Sequence, residues 1–164
     1  MDSTTIRKIL ARDPRTKTIF QGFSSPDLDF PKIVKTPALF ILNTDTSDGP
    51  GIHWCSAVFT NQKTCEFFDP LGKNPSTYNF DKSILKRCNK ICFNEFPVQH
   101  DSAATCGHHC LFFAFHRARN MTPKRIMKKY SRTDLVNNDH MVFDFVAKNF
   151  GKTNAQISPG AFSV

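Results

Sequence analysis

Ile52-His-Trp-Cys-Ser-Ala-Val-Phe-Thr60, the break Asn61-Gln-Lys63, and Thr64-Cys-Glu-Phe-Phe-Asp69 form the stretch that decides the fold. Both runs are rich in β-branched and aromatic residues, and the break has the length of a hairpin turn, so they read as paired antiparallel strands. Upstream, Ala38 to Asn43 is a third strand, joined to the pair by a polar loop over residues 44–51 that is rich in turn formers. Downstream, residues 103–118 have helical length and an almost unbroken apolar content, which predicts a central helix buried on most sides.

The remaining segments arrange themselves around this centre. Asp2 or Ser3 can cap a helix over Thr4 to Arg12, ended by Asp13-Pro14, and residues 18–36 read as irregular chain. A helix is expected around Lys82 to Lys90 and a strand from Ile91 to Val98. Thr122-Pro123 opens a helix to about Tyr130, and Asp134 to Phe150 supplies a last one, stopped by Gly151. Helix, clustered strands, then helices predicts an α+β fold: an antiparallel-rich mixed sheet packed against helices.

With 164 residues, 40% of them apolar and 17 of them Phe, the chain can build one core, so a single domain over 1–164 is expected. No apolar run approaches the ~18–20 residues of a membrane helix. The N-terminus lacks the apolar centre of a signal peptide, so an intracellular, unsecreted monomer is the expectation. Six cysteines are too few for a disulfide scaffold of this length, which directs attention to thiol chemistry.

A thiol that cleaves peptides needs a base, a group that orients the base, and donors for the oxyanion. Cys106 stands at the expected start of the buried helix, where the helix-end partial charge and free N–H groups lower a thiol pKa. His53 opens one hairpin strand and Asp69 closes the other, so antiparallel pairing can bring the carboxylate to the imidazole. Gln99, seven positions before Cys106, carries an amide suited to donating to developing negative charge. Taken singly, each is also a common core or turn residue.

Gly51-Ile-His53-Trp54, Phe67-Phe68-Asp69-Pro70-Leu-Gly72 and Val98-Gln99-His-Asp-Ser-Ala-Ala-Thr-Cys106-Gly107 resemble the adenovirus maturation protease (adenain) family of cysteine endopeptidases. The resemblance implies a fold of the adenain and SUMO-protease type with the nucleophile at the N-terminus of the buried helix. Residue by residue, it implies Cys106 as nucleophile, His53 as base, Asp69 as its orienting acid and Gln99 in the oxyanion hole. It further implies cleavage of viral precursor proteins during virion maturation, in the virion and host nucleus of an adenovirus or an adenovirus-like virus or element. Two other readings stand beside it: a protease for SUMO or another ubiquitin-like modifier, and a catalytically silent DNA-binding virion protein. Thr105 before the nucleophile and the seven-residue spacing favour the viral branch.

Family members are activated by viral DNA and by a disulfide-linked viral peptide, with no small-molecule cofactor. The resemblance implies Cys88 as the peptide's anchor, with Cys92 as the other candidate. A zinc site built on Cys88, Cys92, Cys106 and Cys110 has poor spacing and would quench the nucleophile, so no metal is expected. The net charge of +8 is concentrated: residues 117–132 hold seven Lys or Arg and no acid. Arg125, Lys128, Lys129 and Arg132 recur at helical spacing, an expected basic stripe for sequence-independent DNA contact.

Overall fold

The computed structural model describes residues 1–151; the expected domain also takes in residues 152–164, which lie outside the described residues. Helix α1, Ser3–Arg12, starts where Asp2 accepts the Thr5 N–H at 2.8 Å, and it buries Ile6, Ile9 and Leu10 on one face. Asp13 ends α1 and caps α2, Pro14–Ile19, by accepting from the Arg15 and Thr16 N–H groups. Strand β1, Phe20–Ser24, follows directly. The reading of residues 18–36 as irregular chain is corrected here. β1 is an edge strand with a register shift near Gly22 and no alternation of its own, so pairing with β2 defines it.

Strands β2, Ala38–Asn43, β3, Trp54–Asn61, and β4, Thr64–Phe68, are antiparallel neighbours. The Asn61 side chain closes the hairpin by accepting the Lys63 and Thr64 N–H groups at 2.7 and 3.0 Å. β5, Lys90–Phe93, joins β4 in parallel, so the sheet order is β1-β2-β3-β4-β5. The sheet is therefore mixed, antiparallel at its centre and parallel at both edges. β5 is shorter than the strand expected to Val98, because Asn94 binds the Asp69 main chain with its side chain. The helix expected over 82–90 is only α3, Asp81–Leu85, preceded by a 3-10 turn at Pro75–Tyr78.

Alternation along β2 divides the core. Leu39 and Ile41 meet the helices, while Ala38, Phe40 and Leu42 meet Phe30, Phe80 and Ile84 on the opposite face. On the helical face, α4, Cys106–Arg117, lies across β3 and against α6, Leu135–Phe150, with every residue from Gly107 to Ala114 buried. The Phe113 ring stacks on Phe68 at 4.5 Å, within 2° of parallel. α6 is capped by Asp134, which accepts the Asn137 N–H, and it ends at Gly151 with φ 81°, in the left-handed region that favours glycine.

The helix after Thr122-Pro123 stops early. α5 is Pro123–Met127, and the chain then turns through Lys129 N–H to Ile126 O and Tyr130 N–H to Met127 O. Arg125, Lys128, Lys129 and Arg132 thus do not share one helical stripe.

Phe113→Ala removes a fully packed ring from the α4–sheet contact and should cost about 3–5 kcal/mol of stability in urea unfolding. A loss below about 1 kcal/mol would show that this stack does not hold α4 to the sheet.

Candidate active site

In the β3–β4 register Ser56 faces Phe68, so Asp69 stands opposite Cys55, diagonal to His53. The Asp69 carboxylate is 0% exposed and its oxygens are fully engaged. One oxygen meets His53 Nε2 at 2.6 Å and accepts the Leu71 N–H at 2.9 Å; the other accepts from Lys73 N–H at 2.9 Å and Tyr78 OH at 3.0 Å. Burial raises the Asp69 pKa, but the His53 bond and charge and the two N–H donors outweigh it, leaving the carboxylate below its ordinary range. The turn that supplies these donors needs Gly72. Its φ is 69°, and a Cβ there would lie 2.4 Å from the Phe96 carbonyl carbon.

His53 is also almost enclosed, at 8% exposed, and its backbone carbonyl accepts the Thr44 N–H at 3.0 Å. Burial alone pushes an imidazole pKa down. Here hydrogen bonds to Asp69 and Cys106, with their charges, reverse that and raise it to about 9. Cys106 begins α4, so the same contact acts on the thiol in the opposite sense. Burial pushes it up, while the hydrogen bond and charge of His53, with the Trp54 and Gly107 N–H groups, bring it below the ordinary value. One turn later, the Cys110 thiol donates to the Trp54 carbonyl at 3.3 Å and fixes α4 against β3. The arrangement shifts the pair toward thiolate and imidazolium.

Gln99 is 3% exposed and is held through its backbone N–H to Pro70 O at 3.1 Å. Its amide nitrogen spends one hydrogen on the Ala103 carbonyl at 2.6 Å, which leaves the second available, and its Oε1 has no partner. His108 and His109 N–H groups go to the Thr105 carbonyl, while the Cys106 N–H has no acceptor among the described residues. The structure thus hydrogen-bonds His53 to Asp69, sets Cys106 near enough to His53 for each to shift the other's pKa, and anchors Gln99 to the Pro70 carbonyl that follows Asp69. Tyr78 and Asn94 escaped the sequence reading. Both act on Asp69 across turns with no pattern of their own, and only the spatial convergence reveals them.

His53, Cys55 and Asp69 offer donor atoms within 4.8 Å of one another, the spacing of a metal site. The donor set does not fit one. Both Asp69 oxygens already accept hydrogen bonds, a proton occupies the 2.6 Å contact to His53, and burial holds the Cys55 thiol far above its ordinary pKa.

The other candidates separate. Cys88 is buried, its sulfur directed to the Ile84 and Lys90 carbonyls at 3.6 and 3.4 Å, whereas Cys92 is exposed on edge strand β5. Cys92 lines a groove of about 620 Å³ between the β4–β5 edge and α4–α5, with Phe93, Phe96, Lys124, Lys128 and Arg132 among its walls. The Arg132 guanidinium lies over the Phe96 ring at 4.1 Å. Arg125 and Lys129 are exposed outside that lining.

Residues 22–150 match the sequence model of the adenovirus endoprotease family. A protease of Bovine adenovirus 7 is 33% identical over 89 residues, covering 46% of this chain and 44% of that protein. The chain therefore spans less than half the length of that curated relative. A crystal structure of the selenomethionine form of an ASFV protease superposes with a TM-score of 0.41 at 22% identity, over 74% of this chain and 48% of that one.

Iodoacetamide should alkylate Cys106 rapidly at pH 6–7, where an ordinary thiol is about 3% or less ionised. His53→Ala should move that pH profile upward by at least about one unit, since it removes the charge and donor that hold the thiolate. An unmoved profile would contradict the ion pair.

Proposed function

We propose that this chain, which belongs to the adenovirus endoprotease family, is a cysteine endopeptidase. Cys106 is its nucleophile, His53 its base and acid, Asp69 the group that orients the imidazole, and Gln99 with the Cys106 N–H its oxyanion donors. The observation that carries this reading is His53 held at 2.6 Å from the buried Asp69 carboxylate and beside the Cys106 thiol at the start of α4; Asp69 first and Cys106 second raise the imidazole to about 9, and His53 in turn lowers the thiol.

The chemistry follows from these positions. The thiolate attacks the substrate carbonyl carbon, a C–S bond forms, and the carbonyl electron pair moves to oxygen, where N–H donors meet it. The imidazolium gives its proton to the departing amine as the C–N bond breaks, leaving a thioester. Neutral His53 then takes a proton from water, the oxygen attacks the thioester carbon, and the C–S bond breaks to restore thiolate and imidazolium. Asp69 keeps its charge throughout and holds the ring tautomer.

Family membership supports viral precursor proteins as substrates, cut in extended segments with small residues around the bond, during maturation in the virion and host nucleus. It also supports two activators. Duplex DNA would meet the exposed cations of residues 117–132 through its phosphates, with salt-sensitive and sequence-independent affinity. A viral peptide would form a disulfide by exchange: a thiolate of this chain attacks the peptide's own disulfide and releases its other thiol. Exposure favours Cys92 as that thiolate over the buried Cys88.

A Gly-containing viral-type peptide, assayed with DNA and activating peptide present, should be cleaved by the wild type and at least about 1,000-fold more slowly by Cys106→Ala. Preference for a SUMO conjugate would overturn the viral reading, and inertness on both substrates would favour a silent DNA-binding protein. In a Cys106→Ala background, which removes the other reactive thiol, a disulfide-linked peptide dimer should cross-link the Cys88→Ala chain and fail with Cys92→Ala. The reverse pattern would return the anchor to Cys88.

A further inference from the structure

Two consecutive side chains of α6, Asn138 and Asp139, are 1% and 2% exposed, in a helix far along the chain from the site residues. Both reach the segment that carries Gln99 and Cys106. The Asn138 amide donates to the Val98 carbonyl at 3.0 Å and the Ser131 carbonyl at 2.8 Å, and its oxygen accepts the Ser131 N–H at 2.8 Å. One Asp139 oxygen accepts the His100 N–H at 3.1 Å; the other accepts His109 Nε2–H at 2.9 Å and the Thr105 hydroxyl.

Val98 and His100 flank Gln99 directly, and Thr105 directly precedes Cys106. Helix α6 therefore holds the chain on both sides of one candidate oxyanion donor and immediately before the other. The Thr105 bond does more than anchor. Thr105 occupies the N-cap position of α4, where a hydroxyl ordinarily accepts an N–H of the first turn, yet it makes no such cap: its hydroxyl is turned to Asp139 instead. With the His108 and His109 N–H groups spent on the Thr105 carbonyl, those of Gly107 and Cys106 are left to the sulfur and to a substrate oxygen. Asp139 suits this task because all its partners are donors, and only an acceptor-only group satisfies them together. His109 completes the set as a neutral ring: burial holds its pKa below the ordinary value, and its other nitrogen faces the Tyr130 hydroxyl at 3.3 Å.

We infer that Asn138 and Asp139 are positioning residues of the oxyanion site, fixing the Gln99 backbone from both sides and drawing the Thr105 hydroxyl away from the α4 N-terminus. The inference rests on the protease reading above.

The test uses the whole chain. Asp139→Asn keeps the shape and loses the common acceptor; Thr105→Val removes the diverted hydroxyl, and Thr105→Ser restores it. Turnover per titrated Cys106 should fall about 10- to 100-fold in Asp139→Asn, in kcat more than in KM, because an oxyanion donor acts on the transition state. It should fall less in Thr105→Val, which loses the anchor to Asp139 but carries no hydroxyl to cap the α4 N–H groups, and recover in Thr105→Ser. Cys106 alkylation, which develops no oxyanion, should stay within about twofold of wild type in all three. The His100 amide should lose hydrogen-exchange protection in Asp139→Asn while the α6 amides keep theirs. Unchanged turnover per titrated thiol, alkylation falling in step with turnover, or unchanged His100 protection would each overturn the proposal. A wild type that alkylates at Cys106 and cleaves nothing overturns instead the protease reading; the His100 exchange then still decides whether Asp139 holds this segment.

Discussion

The Asp69 carboxylate has no solvent exposure, and a buried charge costs several kcal/mol unless its oxygens are satisfied in good geometry. That requirement organises the surroundings. The Pro70-Leu71-Gly72-Lys73 turn curls back to deliver two N–H groups, the 3-10 turn at Pro75–Tyr78 brings a phenol, and Asn94 ends β5 to hold the Asp69 main chain. With those donors in place, the remaining direction of the carboxylate is toward His53, at 2.6 Å. The tautomer and orientation of the imidazole therefore follow from how a charge is buried at the end of β4.

The second dependence is on α4. Packed between the sheet and α6, it has no freedom to slide along β3, and the Cys110 contact with the Trp54 carbonyl fixes its register. Its first residue is thus carried to His53, and the exchange of charge between thiol and imidazole follows from proximity in a low-dielectric interior. A thiol of ordinary acidity elsewhere is shifted toward its ionised form here because the fold sets it beside His53.

Much of this was legible in the residues. The hairpin, β2, the capped ends of α1 and α6, and the buried α4 all carry local signals: alternation, Asp caps, a terminal Gly, a continuous apolar run. The His53 and Asp69 pairing could be argued from antiparallel geometry alone, and the structure brings the two together. What escaped has no local signal. β1 exists through pairing with β2, and α5 and α3 are cut short by turns that follow from packing. Tyr78, Asn94, Asn138 and Asp139 act across distances in sequence at which spacing carries no information. The basic run read as a helical stripe became a rim of exposed cations, some lining the Cys92 groove and some beside it, because α5 ends at Met127.

The charge state of His53 decides whether Cys106 has an imidazolium beside it. Nitrogen-15 NMR of the imidazole across pH 5–10 reads it directly. A ring that stays protonated at pH 7–8 and titrates near 9, then drops when Cys106 is changed to Ala, is the predicted result. A ring already neutral at pH 7, titrating near the unperturbed value of about 6.5 and indifferent to Cys106→Ala, would contradict it.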